Sequence, residues 1–140
     1  MLSVQDIMSS KVITLNETHT MKNAHDLTHA KGIRHLPIVD SKTNRIIAVL
    51  SQKDMVARVL SIISEHGADN LVEYEMKTPI LDIASDMFEV AHTDQPVDEI
   101  AHFFLENKFG CLPILNAKDE LSGILTSSDF VRLAIRLMQK

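Results

Sequence analysis

The sequence predicts an α/β (α+β) fold made of two copies of a β-α-β-β-α unit. Three short segments of the first half recur about 76 residues later, with a single one-residue gap. The pairs are Val4–Ile7 with Ile80–Ile83, Leu36–Asp40 with Leu112–Asn116, and Ser51-x-x-Asp54 with Thr126-x-x-Asp129. Two copies of one unit can bury a joint hydrophobic face that neither copy buries alone. The repeat therefore predicts a two-fold pseudosymmetric body with two equivalent clefts.

The elements of the first copy follow from apolar runs and helix caps. A β-branched run at 12–15 predicts a short strand, and Thr20 is a suitable N-cap for a helix that Gly32 ends. Apolar runs at 33–39 and 46–50 predict two strands on either side of a polar turn. From Asp54 onward apolar residues recur at helical spacing, which predicts the closing helix.

The second copy repeats this order. The pattern predicts a strand at 88–91, a helix with Val97, Ile100 and Phe104 on one side, strands at 109–115 and 121–126, and a closing helix near 128–138. We assign residues 1–64 to the first repeat, 65–79 to a linker and 80–140 to the second repeat, together forming one module. Within the linker, 71–77 is either a short helix or an irregular crossover.

Composition narrows the functional classes. A formal net charge of −5 argues against nucleic-acid binding, which needs clustered Lys and Arg. No apolar stretch approaches the ~20 residues that span a bilayer, and the N-terminus lacks the pattern of a secretory signal. Cys111 is the only cysteine, so an internal disulfide is impossible. We therefore expect a cytoplasmic protein that contacts neither nucleic acid nor membrane.

The ordered, repeated segments resemble the CBS-domain pair, the module named after cystathionine β-synthase, over almost the whole chain. The segments that carry the resemblance are Asp6–Met8, Val12–Thr14, Arg34–Asp40 and Ser51–Asp54, then Asp82–Ala84, Cys111–Leu115 and Gly123–Asp129. The resemblance implies two units packed sheet to sheet by a pseudo-two-fold axis. It also implies clefts that in many members bind AMP, ADP, ATP or S-adenosylmethionine. Members usually regulate a fused or partner protein and often pair into flat dimers, so an effector protein and a homodimer are expected.

Ser51 and Asp54 are the first candidate site residues. Ser51 ends a strand, and Asp54 lies in the first turn of the next helix, whose N-terminus favours a phosphate. The two carboxylate oxygens of Asp54 can accept both hydrogen bonds from a ribose diol. The resemblance assigns this role to the motif, and Thr126 and Asp129 repeat it. The alternative is an ordinary helix N-cap.

Basic residues near the first motif predict contacts with phosphate. Arg34 can bridge two phosphate oxygens, His35 adds a proton-dependent donor, and Lys53 could supply a third positive group. The alternative for Arg34 is a solvated strand residue. In the second copy Gly110 and Cys111 stand at the matching positions, so that cleft is poorer in phosphate donors. It could take a nucleoside-like or thioether ligand, hold only the adenine and ribose of a nucleotide, or be empty.

The adenine is expected among apolar side chains. The apolar candidates are Ile13, Ile33 and Pro37 in the first cleft, and Val90, Phe109 and Pro113 in the second. Thr14 could contact the base through its backbone or hydroxyl, and Cys111 is expected in the wall of the second cleft. The alternative for most of them is a plain core role. Ala48 stands where the second copy has Gly123, and Gly at that position would let a ligand or facing backbone approach closely. The extra methyl of Ala48 weakens the first-cleft prediction without removing it.

Two functional hypotheses follow, and a third is disfavoured. The first is a stand-alone regulatory module that senses an adenosine-containing metabolite, needs no cofactor and acts on an unknown effector protein. The second is a ligand-free scaffold or dimerisation module, which the substitutions at Ala48, Gly110 and Cys111 favour. Metal-dependent hydrolysis through His25 and His29 lacks a third convergent ligand in the sequence. No residue set combines an acid, a base and an oxyanion donor, so we do not expect an enzyme.

Overall fold

A computed structural model describes residues 2–107 and 110–139. The chain divides into two compact units. The first unit is Ile13–Phe88, and the second unit combines, within the described ranges, Met1–Val12 with Glu89–Lys140. In chain order the helices and strands are α1 (Val4–Ile7), β1 (Leu15–Asn16), α2 (Met21–Lys31), β2 (His35–Val39), β3 (Ile46–Ser51), α3 (Gln52–His66), α4 (Leu71–Lys77), β4 (Ala91–His92), α5 (Val97–Glu106), β5 (Cys111–Leu115), β6 (Leu121–Thr126) and α6 (Ser127–Met138).

Each unit contains one three-stranded sheet with the same topology, which confirms the predicted fold class. The orders are β1-β2-β3 and β4-β5-β6, with the first pair parallel and the second antiparallel. The registers also match, since His35 lies opposite Ser51 where Cys111 lies opposite Thr126. Both antiparallel ladders shift by one residue just before their last pair. The repeat in the sequence is therefore a repeat of backbone geometry.

The first strand of each unit is shorter than the apolar runs predict. Hydrogen bonding begins only at Leu15 and Ala91, because a proline stands one step earlier in the central strand. Val49, opposite Pro37, exchanges both backbone hydrogen bonds with Ser85, so the nitrogen of Pro37 faces β1. A proline nitrogen carries no hydrogen to donate. Pro113 limits β4 in the same way, because Ile124 opposite it bonds to Ser9.

The caps of α2 behave as the sequence predicts. The Thr20 hydroxyl accepts a hydrogen bond from the Asn23 amide at 3.3 Å, and Gly32 ends the helix with φ of +63°. The Ile33 amide still donates to the Thr28 carbonyl at 3.2 Å. For this reason β2 begins at His35, two residues later than the apolar run.

Each unit has its own core, and each core takes in the leading segment of the other sequence repeat. Ile80 and Ile83 are buried with Leu36 and Ile38 in the first unit, although they open the second repeat. Val4, at the start of the chain, is fully buried in the core of the second unit. The backbone pairs Val49 with Ser85 and Ile124 with Ser9 fix these segments. The repeat boundaries of 1–64 and 80–140 remain a prediction about the sequence, and the compact units cut across them.

Residues 71–77 of the linker, for which the sequence allowed a short helix or an irregular crossover, form the helix α4. It packs against α2 and α3 of the first unit and buries Glu75, whose carboxylate lies 2.6 Å from His25 Nδ1. Leu71 and Tyr74 pack against the core of the same unit. Among the described residues, none of the helices combines the length and apolarity that crossing a membrane requires.

Candidate functional site

Ser51 and Asp54 lie where β3 passes into α3. Ser51 is the N-cap, and its hydroxyl accepts a hydrogen bond from the Asp54 amide at 3.1 Å. This satisfies one of the free N–H groups at the helix start, as the N-cap alternative predicts. The Asp54 carboxylate takes no part in the cap. It is exposed and has no hydrogen-bond or ion-pair partner among the described residues, so its two oxygens remain available as acceptors.

Arg34 and His35 lie beside this helix start. His35 pairs with Ser51 across the ladder, and the Gln52 amide donates to the Arg34 carbonyl at 2.7 Å. The Arg34 side chain is exposed, whereas His35 is half-buried. Burial lowers the pKa of His35 below its usual value, and the positive charge of Arg34 lowers it further. His35 is therefore more readily neutral than an exposed histidine.

Lys53 adds a second positive group, after Arg34, on the first turn of α3, where its side chain is exposed. The backbone thus gathers Arg34, His35, Ser51, Lys53 and Asp54 around one helix N-terminus. The dipole at that end of the helix also favours an anion. Together these groups could hold a phosphate beside an acceptor for sugar hydroxyls.

The three candidates for adenine contact in the first cleft lie closer to the core. Pro37 is fully buried in β2, and Ile33 is half-buried against the core cluster. Thr14 is half-buried, one residue before β1. These positions are compatible with the core role that the sequence left open, and their contact with an adenine remains a prediction.

The matching aspartate of the second unit has a different environment. Asp129 is buried, with a side chain only 2% exposed. Its carboxylate accepts hydrogen bonds from the Thr126 amide at 2.8 Å and from the Ser9 hydroxyl at 3.1 Å, and it forms an ion pair with Arg132. Thr126 is the N-cap of α6. The Asp129 carboxylate is therefore already bonded to three residues of the same unit: Thr126, Ser9 and Arg132.

The other candidates of the second cleft are mostly buried. Cys111 lies opposite Thr126, and burial raises the pKa of its thiol to about 12, so the thiol is neutral at physiological pH. Pro113 is fully buried in β5. Val90 lines a cavity of about 270 Å³ together with Ile100 and Leu112. Phe109 lies outside the described residues, and its contact with a ligand remains a prediction.

The structure gives a packing reason for the difference between Ala48 and Gly123. Both occupy the same register position, opposite Ile38 and Ile114. A Cβ added to Gly123 would overlap Met8 Sδ, so a protein side chain makes the close approach there. In the first unit the counterpart of Met8 is Ala84, which packs against the cluster that contains Ala48. The smaller side chain at 84 leaves room for the larger one at 48.

Sequence reasoning missed Ser9 and Arg132 as partners of Asp129. The signal was present in the alignment of the two motifs, since Ala57 stands three residues after Asp54 where Arg132 follows Asp129. Ser9 could not be found this way, because 120 residues separate it from Asp129. Among the residues that the structure describes, no three His, Cys, Asp or Glu side chains form a metal-binding group. His25 instead pairs with Glu75.

Comparison with known proteins gives one family. The model of the CBS domain matches residues 4–61 and 73–136. A crystal structure of a putative acetoin utilization protein (AcuB) from Vibrio cholerae is 34% identical and superposes with a TM-score of 0.82, covering 99% of this chain and 94% of that one. The chain spans only 46% and 23% of the length of two curated relatives that it matches.

Two further structures share the fold at lower identity. CBSX2 from Arabidopsis thaliana, solved in complex with AMP, is 23% identical with a TM-score of 0.80, covering 99% of each chain. The CBS domain pair of protein MJ0100, solved with 5′-methylthioadenosine and S-adenosyl-L-methionine, is 24% identical with a TM-score of 0.74, covering 95% of each chain. The matched sheets, the repeated strand-to-helix motif and the family model agree, and the chain belongs to the CBS domain family.

Proposed function

We propose that this chain is a regulatory module that binds an adenosine-containing nucleotide in the first unit and thereby modulates a partner protein. The observation that carries the proposal is the Asp54 carboxylate, exposed and without a partner among the described residues, beside the capped start of α3. Arg34 and Lys53 supply positive charge around it, and the imidazole of His35 adds a hydrogen-bonding group. The relatives support the ligand class, since CBSX2 was solved with AMP and the MJ0100 pair with 5′-methylthioadenosine and S-adenosyl-L-methionine.

The expected affinity is modest. A sensor of abundant nucleotides needs a dissociation constant of about 10 μM to 1 mM, which corresponds to roughly −7 to −4 kcal/mol. Hydrogen bonds to a charged group contribute about 1.5–3 kcal/mol each. Two such bonds from a ribose diol to Asp54 would therefore be a large share of the binding free energy.

Isothermal titration calorimetry with AMP, ADP, ATP and S-adenosylmethionine tests this proposal. We expect Asp54→Ala to weaken binding of the preferred ligand at least tenfold, because the diol loses both acceptors. Asp69→Ala is the matched control, since Asp69 is also exposed in the first unit but lies away from α3's first turn. An Asp54→Ala variant that binds as tightly as the wild type would show that this carboxylate does not hold the ligand.

A ligand-free scaffold or dimerisation module is the second candidate. Its support is the run of exposed apolar side chains on α6, which a homodimer or an effector protein could cover: Val131, Ile135, Leu137 and Met138. Thermal unfolding separates the two candidates. Ligand at a hundredfold excess over its dissociation constant adds about 2.7 kcal/mol, or several degrees in Tm. The absence of a Tm shift with every nucleotide would favour the scaffold.

A further inference from the structure

We propose that Ser9 and Arg132 form a latch that closes the Asp129 carboxylate to a ribose diol, so that the chain binds one nucleotide, in the first unit only. The inference rests on the proposed function for the role of Asp54, and it adds an autoinhibitory contact at the matching position of the second unit. The latch consists of two side chains from separate elements. Ser9 follows α1, and Arg132 lies one turn into α6.

The hydrogen bonds of Asp129 leave no acceptor position for a ligand. Oδ2 accepts from the Thr126 amide at 2.8 Å and faces the Thr126 hydroxyl at 3.5 Å. Oδ1 accepts from the Ser9 hydroxyl at 3.1 Å and from the Arg132 guanidinium. A carboxylate offers about four lone-pair positions, and a ribose diol needs two of them. A ligand must therefore displace Ser9 and Arg132 before its sugar can bind.

The first unit lacks both parts of the latch. Ala57 occupies the helix position that corresponds to Arg132, and it has no donor. Ser85 pairs with Val49 as Ser9 pairs with Ile124, but among the described residues its hydroxyl makes no hydrogen bond to Asp54. It accepts one from the Met87 amide at 3.0 Å. The Asp54 carboxylate consequently keeps its acceptor positions open.

One member of the latch is free to leave. The Arg132 side chain is 62% exposed, so the guanidinium can turn to water without unfolding α6. The Asp129 side chain, in contrast, is only 2% exposed. Opening of the second unit is therefore controlled at Arg132, and removal of this side chain should expose an acceptor without removing the carboxylate.

The stoichiometry of AMP binding, measured by titration calorimetry on the full chain, tests the latch. We expect one AMP per chain for the wild type and two for Ser9→Ala/Arg132→Ala. In an Asp54→Ala background, which removes the first site, the same two substitutions should restore binding of one AMP. Arg136→Ala is the matched control, because Arg136 is exposed one turn further along α6 and should leave the wild-type stoichiometry unchanged.

The reverse substitution, Ala57→Arg, tests the latch in the first unit at an exposed position that tolerates a larger side chain. Ala57 is exposed on α3, and Arg is a good helix former, so Ala57→Arg should fold. We expect it to pair with Asp54 and to weaken AMP binding at least tenfold. Two AMP molecules per wild-type chain, or unchanged affinity in Ala57→Arg, would overturn the latch and leave the proposed function standing. Absence of AMP binding in every variant, including the wild type, would overturn both.

Discussion

The two units share one backbone and differ in the state of a single matched carboxylate. Both sheets have the same order, the same register and the same irregularity before the last pair. Yet Asp54 is exposed without a partner among the described residues, whereas Asp129 is buried with three partners. Duplication therefore preserves the ladder, and individual side chains decide whether a motif is open to a ligand.

The difference has a local physical cause. Ladder hydrogen bonds depend on the backbone, so two sequences with the same apolar alternation give the same register. A carboxylate responds to the donors around it, and one substitution can add or remove a charged donor. Ala57 and Arg132 occupy matching positions, but only Arg132 offers the neighbouring aspartate a charged donor. The comparison predicts that the two aspartates contribute differently to stability.

The largest expected effect concerns this pair of aspartates. Asp129→Ala should lower the free energy of unfolding by about 2–3 kcal/mol, because the α6 start loses its cap partner and the Ser9 hydroxyl loses its acceptor. Asp54→Ala should lower it by less than about 1 kcal/mol, since only a favourable charge at a helix start is lost. Urea unfolding of the two variants measures both values. Equal losses would show that the two aspartates contribute equally to stability, contrary to this prediction.

A second comparison concerns the residue pair Gly123 and Met8. Gly123→Ala should lower the free energy of unfolding by about 1–2 kcal/mol, because the new methyl overlaps Met8 and a flexible side chain can only partly yield. The double variant with Met8→Ala reproduces the Ala48 and Ala84 pair of the first unit. Its loss should be smaller than the sum of the two single losses. Strict additivity in urea unfolding would show that the two positions are not coupled.

The smallest expected effect is a pH dependence in the first unit. Burial and Arg34 lower the pKa of His35 from its ordinary value of 6.5, so folding favours the neutral imidazole. Above pH 6.5 the stabilisation is complete; as the pH falls through 6.5, the unfolded chain takes up the proton first and stability is lost. Because the side chain is half-exposed, solvent screens the effect.

Unfolding free energies at pH 7.5 and 5.5 measure this dependence. The wild type should lose more stability than His35→Gln over that interval. Equal losses in wild type and His35→Gln would contradict the assignment. At the matching position of the second unit stands Cys111, whose pKa of about 12 keeps the thiol neutral over this pH interval.

Much of the fold and part of the candidate site could be predicted from the sequence. The repeated Leu-Pro-Ile segments predicted the central strands, and Thr20 and Gly32 predicted the ends of α2. The sequence placed Ser51 and Asp54 at one strand-to-helix junction, and the pairing of β2 with β3 brings Arg34 and His35 beside it. The lengths of β1 and β4 were not predicted, because they depend on which side Pro37 and Pro113 turn their nitrogen. That orientation is set by the pairing of Val49 with Ser85 and of Ile124 with Ser9.

By itself the sequence determined the duplicated α/β unit, the order of its strands and helices along the chain, and the position of each motif at a helix start. These properties depend on periodicity and capping, which act over a few residues. Only the tertiary structure decided that Val4 packs in the core of the second unit and Ile80 in the core of the first. It also decided that Met8 lies against Gly123 and that Ser9 donates a hydrogen bond to Asp129. These contacts join segments up to 120 residues apart, and packing in three dimensions brings them together.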